Sequence, residues 1–185
     1  MPKGRKSTGQ DVVLHGIGVS PGVVVGNVFL VASSALRVQR RTIKAAQVDH
    51  EISRLEDALM ETRKQLKQIQ KDMVDHTGRE DASILDAHLM VLDDRCFVEQ
   101  IVRDIRERKL NVEAVVEDVS GKYAAALAGV QDEYLRERVA DVKDVARRIL
   151  RNLQGDNGSR LDNLPGGHII VARDLAPSET AALRK

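Results

Sequence analysis

The chain has 185 residues, and its 42% of hydrophobic residues excludes general disorder and allows one substantial core or two modest ones. A formal net charge of +1 gives no overall attraction to nucleic acid or to anionic membranes, so neither is expected as a partner. One cysteine excludes an internal disulfide and a cysteine-rich zinc site. The single cysteine and the lack of a recognisable signal peptide or membrane-spanning run together predict a protein of the reducing cytoplasm.

Two patterns open the chain. Residues 12–31 are rich in Val and Ile and are interrupted by Gly and Pro, which predicts extended structure with turns. From about Lys44 the apolar residues recur in steps of four and three, the period of an amphipathic helix. This second pattern predicts one long helix that ends near Gly78. Its stripe consists of Val48, Ile52, Leu55, Leu59, Thr62, Leu66, Ile69 and Met73.

Three further helical regions follow. The second is predicted at about 81–108, the third begins after Asn111, which suits an N-cap, and the fourth covers 132–152. Aromatic residues are only 2% of the chain, and a core of Leu, Val, Ile and Ala is typical of a helical bundle. The apolar face of the third helix is Val112, Val115, Val119 and Tyr123, and that of the fourth is Leu135, Val139, Val142, Ala146, Ile149 and Leu153.

The helical pattern then stops. A compact apolar run from His168 to Ala172 predicts a buried strand, and Pro177 with Glu179 suits the first turn of a helix. A single strand cannot hold a sheet, so we infer that it pairs with the strands near 12–31. The predicted fold class is α-rich α+β: a four-helix bundle-like subdomain at 37–157 inserted into an α/β subdomain formed by 1–36 and 158–185.

Three parts of the chain carry a family resemblance. They are GIGVSPGVVVG at 16–26, the helical blocks ILDAHLMVLDD at 84–94 and DEYLRERVADVKDVARRILRN at 132–152, and VARDLAPSET at 171–180. In this order and spacing they resemble the amino-terminal domain of enzyme I of the sugar phosphotransferase system, a phosphoenolpyruvate–protein phosphotransferase. The resemblance implies that the α/β subdomain is the phosphohistidine subdomain of this family and that the helical subdomain docks the phosphocarrier protein HPr.

The resemblance also implies a phosphorylated histidine in a GGxxSH-type motif. Neither Ser-His nor Thr-His occurs in the chain, so the reactive histidine is expected beyond Lys185 and this chain alone is expected to be inactive. His168 follows two glycines but aligns with the strand, which indicates a structural role. No cofactor is expected here. Magnesium, phosphoenolpyruvate binding and homodimer formation are expected in a carboxy-terminal domain that this chain lacks.

The partner-binding residues that the resemblance implies lie in two helical regions. Protein docking needs an apolar centre with charged surroundings, and the acid-rich segment 80–99 offers both. Within it, Leu85, Leu89 and Leu92 share one helical face, which is assigned to the bundle core. The candidates are Glu80, His88, Met90, Val91 and Phe97, with Arg138 in the fourth helix.

Two of these candidates have a structural alternative. Arg138 corresponds to an enzyme I arginine near the carrier's phosphorylated histidine, and a guanidinium holds phosphate oxygens well. The alternative is an ordinary ion pair with Glu137, with Asp141 or with a neighbouring helix. For His88 the alternatives to an interface role are a helix-surface histidine and a satisfied core histidine. No second ligand at zinc spacing accompanies His88, so no metal site is expected.

Two other functions stay open at this point. The parent protein is either enzyme I itself or its nitrogen-related paralogue, whose carrier is a different HPr-like protein. A noncatalytic adaptor is the third reading, because the long 44–76 stripe has the length of an intermolecular coiled coil.

Overall fold

The computed structural model describes residues 13, 15–31, 37–77, 82–155, 167–173 and 175–183, and the structural statements below concern these residues. They are mostly helical, with one small sheet. None of the helices in these ranges combines the length and the apolar character that a membrane crossing needs. In chain order the elements are β1 (Asn27–Val31), α1 (Val48–Thr77), α2 (Asp86–Asp93), α3 (Arg95–Arg108), α4 (Val112–Ala128), α5 (Glu133–Leu153), β2 (His168–Ala172) and α6 (Pro177–Ala182).

The sheet joins the two ends of the described chain. Strands β1 and β2 pair in parallel, with Asn27 opposite His168 and Val31 opposite Ala172. The predicted return of the late strand to the early one is therefore confirmed. The residue before β1 is Gly26. A Cβ at this position would lie 3.0 Å from the backbone oxygen of Gly167, so the close approach of the two backbones favours glycine. Of the extended stretch predicted at 12–31, the described residues before Asn27 form no strand.

Helix α1 forms the spine of the core. Its Leu55, Thr62 and Leu66 are fully buried, and Val48 and Met73 are nearly so, which confirms the predicted stripe. Each fully buried Leu contributes about 1.5–3 kcal/mol through removal of apolar surface from water. The stripe packs against the other helices of the same chain. It is thus occupied internally, and this speaks against the intermolecular coiled coil.

The predicted second helix is two helices. Helix α2 ends at Asp94, whose backbone is extended, and the Asp94 Oδ1 accepts hydrogen bonds from the backbone N–H of Cys96 (2.8 Å) and of Phe97 (3.3 Å). A side chain that caps two N–H groups starts a new helix, α3, in a new direction. The prediction of one helical region at 81–108 is therefore corrected to two helices with a break at Asp94. Helix α3 ends at Lys109, which has φ 49°.

A carboxylate of α1 caps helix α4. Asn111 occupies the N-cap position as predicted, but its side chain bonds elsewhere: its Oδ1 accepts from the backbone N–H of Arg41 at 2.8 Å. The orphan N–H of Val112 donates instead to Oε2 of the buried Glu51 at 2.9 Å. These bonds fasten the entry segment and α1 to the start of α4.

Helix α6 is tied to the C-terminal half of α5. The Arg148 Nη2 donates to Ser178 Oγ at 2.8 Å, and the Arg151 Nη2 lies 2.6 Å from Glu179 Oε1. Ser178 is fully buried, and Glu179 also accepts from the backbone N–H of Ala176 at 3.0 Å. The predicted helix start, with Glu179 in its first turn, is confirmed.

Candidate functional site

Exposed apolar side chains lie on the neighbouring helices α2 and α5. The stripe of α5 is buried at Val142 and Ile149 but emerges toward its N-terminal end, where Leu135 is exposed. Tyr134 is 61% exposed, and on the neighbouring helix α2 Met90 is 72% exposed. Several exposed apolar side chains that lie near one another indicate a binding surface more strongly than single scattered ones do. We call Met90, Tyr134, Leu135 and Arg138 the candidate face.

Arg138 is the charged member of the candidate face. Its Nη1 donates to Asp141 Oδ2 at 3.1 Å, and its guanidinium carbon lies 4.3 Å from the ring centroid of Tyr134. The hydrogen bond with Asp141 raises the pKa of Arg138 above its ordinary value, so the side chain is a permanent cation. The ion pair and the cation–π contact hold it in one orientation while it stays partly exposed. The ion pair considered for Arg138 is present, and it leaves the guanidinium accessible.

His88 lies behind the candidate face and not on it. The side chain is only 1% exposed. Its Nε2 lies 3.0 Å from Asp144 Oδ2, and its Nδ1 lies 3.7 Å from Asp141 Oδ1, so it packs between α2 and α5. This burial argues against direct partner contact by His88, and the alternative of a core histidine fits its Nε2. The reason is that residues at α2 positions facing α5 are enclosed.

Asp144 is an ionised buried carboxylate. Its burial acts to raise its pKa, but hydrogen bonds from His88 and Ser178 outweigh that effect, helped by the charge of Arg148. The net pKa lies below the ordinary value for Asp. A buried charge of this kind is tolerated because several donors satisfy it.

Phe97 is likewise placed in the core. It is fully buried, and its ring meets that of Tyr123 edge-on with a centroid distance of 5.1 Å. This burial argues against its predicted role as a partner-contact residue. Val91 is half-buried and packs against the core, whereas Met90 points to solvent. Glu80 lies outside the described residues.

The acidic segment is partly neutralised within the chain. Asp93 pairs with Arg63 of α1, and Glu99 lies 3.4 Å from Arg95. Asp94 is engaged as a cap. Exposed pairs of this kind contribute little to stability, but they reduce the negative potential that faces a partner. Steering by this segment is weaker than the count of acids indicates.

His168 lies in β2, with its ring 6.5 Å from that of Phe29, which agrees with a structural role. Within the described ranges no group of three His, Cys, Asp or Glu side chains could hold a metal ion.

Sequence reasoning missed two members of this region. Tyr134 stands four residues before Arg138, and this spacing places a ring beside a guanidinium on one helix face, so it could have been found. Asp144 gave no comparable signal, because its partner His88 is on another helix.

Comparisons with known proteins agree with one another. The family model described as "PEP-utilising enzyme, N-terminal" matches residues 15–138. The phosphoenolpyruvate-protein phosphotransferase of Enterococcus faecalis is 36% identical over 172 residues, which is 92% of this chain and 30% of that protein. The protein of the same name from Lactococcus lactis subsp. lactis is 37% identical over 174 residues, which is 94% of this chain and again 30% of the relative. The chain thus spans less than a third of the length of these relatives.

Two solved structures share the fold. An NMR solution structure of enzyme I has a TM-score of 0.76 and 31% identity, and the match covers 89% of this chain and 66% of that one. The N-terminal domain of the nitrogen form of enzyme 1 has a TM-score of 0.68 and 25% identity, covering 90% of this chain and 67% of the other.

Proposed function

Because the chain belongs to the family described as "PEP-utilising enzyme, N-terminal", we propose that it is the docking region of a phosphoenolpyruvate–protein phosphotransferase. It binds the phosphocarrier HPr in the cytoplasm and positions it to receive a phosphoryl group from a histidine of the same enzyme. The observation that carries the proposal is the candidate face, an exposed apolar patch with a fixed arginine in the region that matches this family.

The candidate face has the composition of a protein interface. Met90 supplies a flexible thioether on α2, and Tyr134 and Leu135 supply apolar area on the neighbouring helix α5. Such a centre stabilises a complex once water leaves it. The exposed acids Asp93 and Glu99, although paired, belong to the same acid-rich segment 80–99 as Met90 and favour a basic partner.

Arg138 is proposed to compensate the charge of the phosphoryl group at the candidate face. Phosphoryl transfer between two imidazoles requires position, orientation and compensation of the phosphoryl charge. A guanidinium held by Asp141 and Tyr134 loses little conformational freedom when it meets an anionic group. The arginine therefore offsets the negative charge that a phosphorylated carrier brings toward the acidic segment.

The proposal includes the division of the molecule. Residues 37–157 form the docking subdomain, and 1–36 with 158–185 contribute to a phosphohistidine subdomain, a division supported by the parallel pairing of β1 with β2. Catalysis belongs to the whole enzyme, and the phosphorylated histidine is proposed to follow Lys185. Magnesium and the homodimer contact are proposed for the carboxy-terminal domain.

The nitrogen-related paralogue is a second candidate. It is favoured by the likeness to the N-terminal domain of nitrogen enzyme 1, although that likeness has the lower TM-score of the two. The two candidates differ in the carrier that the candidate face selects. Parallel titrations with HPr and with the nitrogen-related carrier decide between them.

Binding of HPr to the chain tests the proposal. Isothermal titration with the wild-type chain should give saturable binding, and the Arg138→Ala variant should bind at least about five-fold more weakly, because truncation of an interface arginine costs about 1 kcal/mol or more. Arg136→Ala is the matched control, since Arg136 is an exposed arginine on the same helix outside the candidate face. It should bind within about two-fold of the wild-type chain, because surface substitutions away from a contact have small effects.

Three results would contradict the proposal. They are the absence of binding to either carrier, equal losses for both arginine variants, and chemical-shift changes in the wild-type chain that avoid α2 and the first turns of α5.

A further inference from the structure

The buried ring of His88 has one nitrogen without a conventional role. Its Nε2 is 3.0 Å from Asp144, but its Nδ1 is enclosed and makes no hydrogen bond within the described part of the chain. Buried polar atoms are almost always satisfied, so an exception asks for a reason. A core histidine that only fills space would leave this arrangement unexplained.

The orientation of the ring is fixed from one side. Asp144 is ionised, because donors hold its pKa below the ordinary value, and a carboxylate can only accept. The proton between the two side chains therefore sits on Nε2 of His88. Ser178 and Arg148 hold the far side of Asp144, so this end of the assembly is anchored to α6.

The other side of the ring faces Asp141. The Nδ1 of His88 is 3.7 Å from Asp141 Oδ1, while Asp141 Oδ2 accepts from Arg138 at 3.1 Å. Asp141 is itself buried, so packed protein neighbours and not solvent determine how its carboxylate is turned. One carboxylate thus has one oxygen beside the histidine and the other on the exposed arginine.

We propose that His88 is a positioning residue for Arg138. The ring, anchored by Asp144, packs against Asp141 and sets the direction in which that carboxylate holds the guanidinium on the candidate face. The effect on carrier binding rests on the proposed function, whereas the placement of Arg138 does not.

Two substitutions of His88 test the roles of its two ring nitrogens separately. The amide of His88→Gln reaches the place of Nε2 and retains a donor to Asp144, but it leaves nothing at Nδ1. The amide of His88→Asn lies at the place of Nδ1 next to Asp141 and does not reach Asp144. His50→Gln, at an exposed position of α1, controls for the change of residue type.

The two His88 variants are expected to differ in opposite directions in HPr affinity and in thermal stability. His88→Gln should stay folded and bind HPr about five-fold more weakly, the size expected when one interface arginine loses its orientation. His88→Asn should recover most of that affinity while melting at a lower temperature, and His50→Gln should match the wild-type chain. In an Arg138→Ala background, His88→Gln should cause no further loss, because the positioned group is absent.

The Nε–Hε resonance of Arg138 gives a readout in the free chain. It should shift in His88→Gln and return toward the wild-type position in His88→Asn. The proposal is overturned by an unmoved resonance, by equal HPr affinity of the folded His88→Gln variant, or by a loss of the same size in the Arg138→Ala background. Failure of the wild-type chain to bind HPr would instead refute the proposed function, and the resonance would still decide the role of His88.

Discussion

Replacement of Phe97 by leucine should lower the free energy of unfolding without weakening the binding of HPr. The ring is fully buried and meets Tyr123 edge-on at 5.1 Å, and such aromatic pairs contribute about 0.5–1.5 kcal/mol beyond their buried area. Leucine keeps an apolar side chain but not the shape of the ring, which costs up to about 1.5 kcal/mol more. The expected total is about 0.5–3 kcal/mol. In a chain of this size, each 1 kcal/mol lowers the Tm by roughly 2–4 °C.

Met90→Ala is the matched variant on the candidate face. Met90 is exposed, so its truncation should change the free energy of unfolding by less than about 0.5 kcal/mol. Its HPr affinity should instead fall about five-fold if it belongs to the apolar centre of the interface. Urea unfolding followed by far-UV circular dichroism gives the stabilities, and isothermal titration below the melting range gives the affinities. If folded Phe97→Leu loses as much affinity as Met90→Ala, the argument from burial fails.

Two further outcomes follow from the capping and charge arrangements. Asp94→Ala should cost about 0.5–2 kcal/mol in urea unfolding, because the α3 N-cap is lost; an unchanged midpoint would contradict that role. Asp144 has a lowered pKa in the folded chain, so its contribution to stability is present above the ordinary Asp pKa of about 3.9 and is lost as the pH falls through the lower folded value. Unfolding measured from pH 6 to pH 2 should thus depend less on pH in Asp144→Asn than in the wild-type chain, whereas Asp57→Asn, at an exposed position, should follow the wild-type curve.

The long elements were predictable because local patterns determine them. The α1 stripe extends over many turns, and the apolar run at 168–172 is short but directly preceded by Gly166 and Gly167. The break at Asp94 was missed since the apolar spacing continues through it. Only the capping chemistry of one aspartate separates α2 from α3.

The candidate site was predictable only in part. Phe97 stands four and eight residues before Ile101 and Ile105, and all three are fully buried, so their spacing within a separate α3 would have assigned Phe97 to the core. The burial of His88 depends on which face of α2 meets α5, and no pattern within one helix encodes that. Arg138 was located by resemblance, and its exposure depends on how far α5 extends beyond the packed core.

Parallel pairing of β1 with β2 gives the chain an unusual response to cleavage. All of the residues from α1 to α5 lie between the two strands, and both strands are short. A single cut anywhere in that interval leaves one strand on each product, and a lone strand has no partner for its backbone groups. The two strands then stay paired only while the helices hold the two products together. A cut within the helical bundle therefore destabilises the sheet even though it lies outside the sheet.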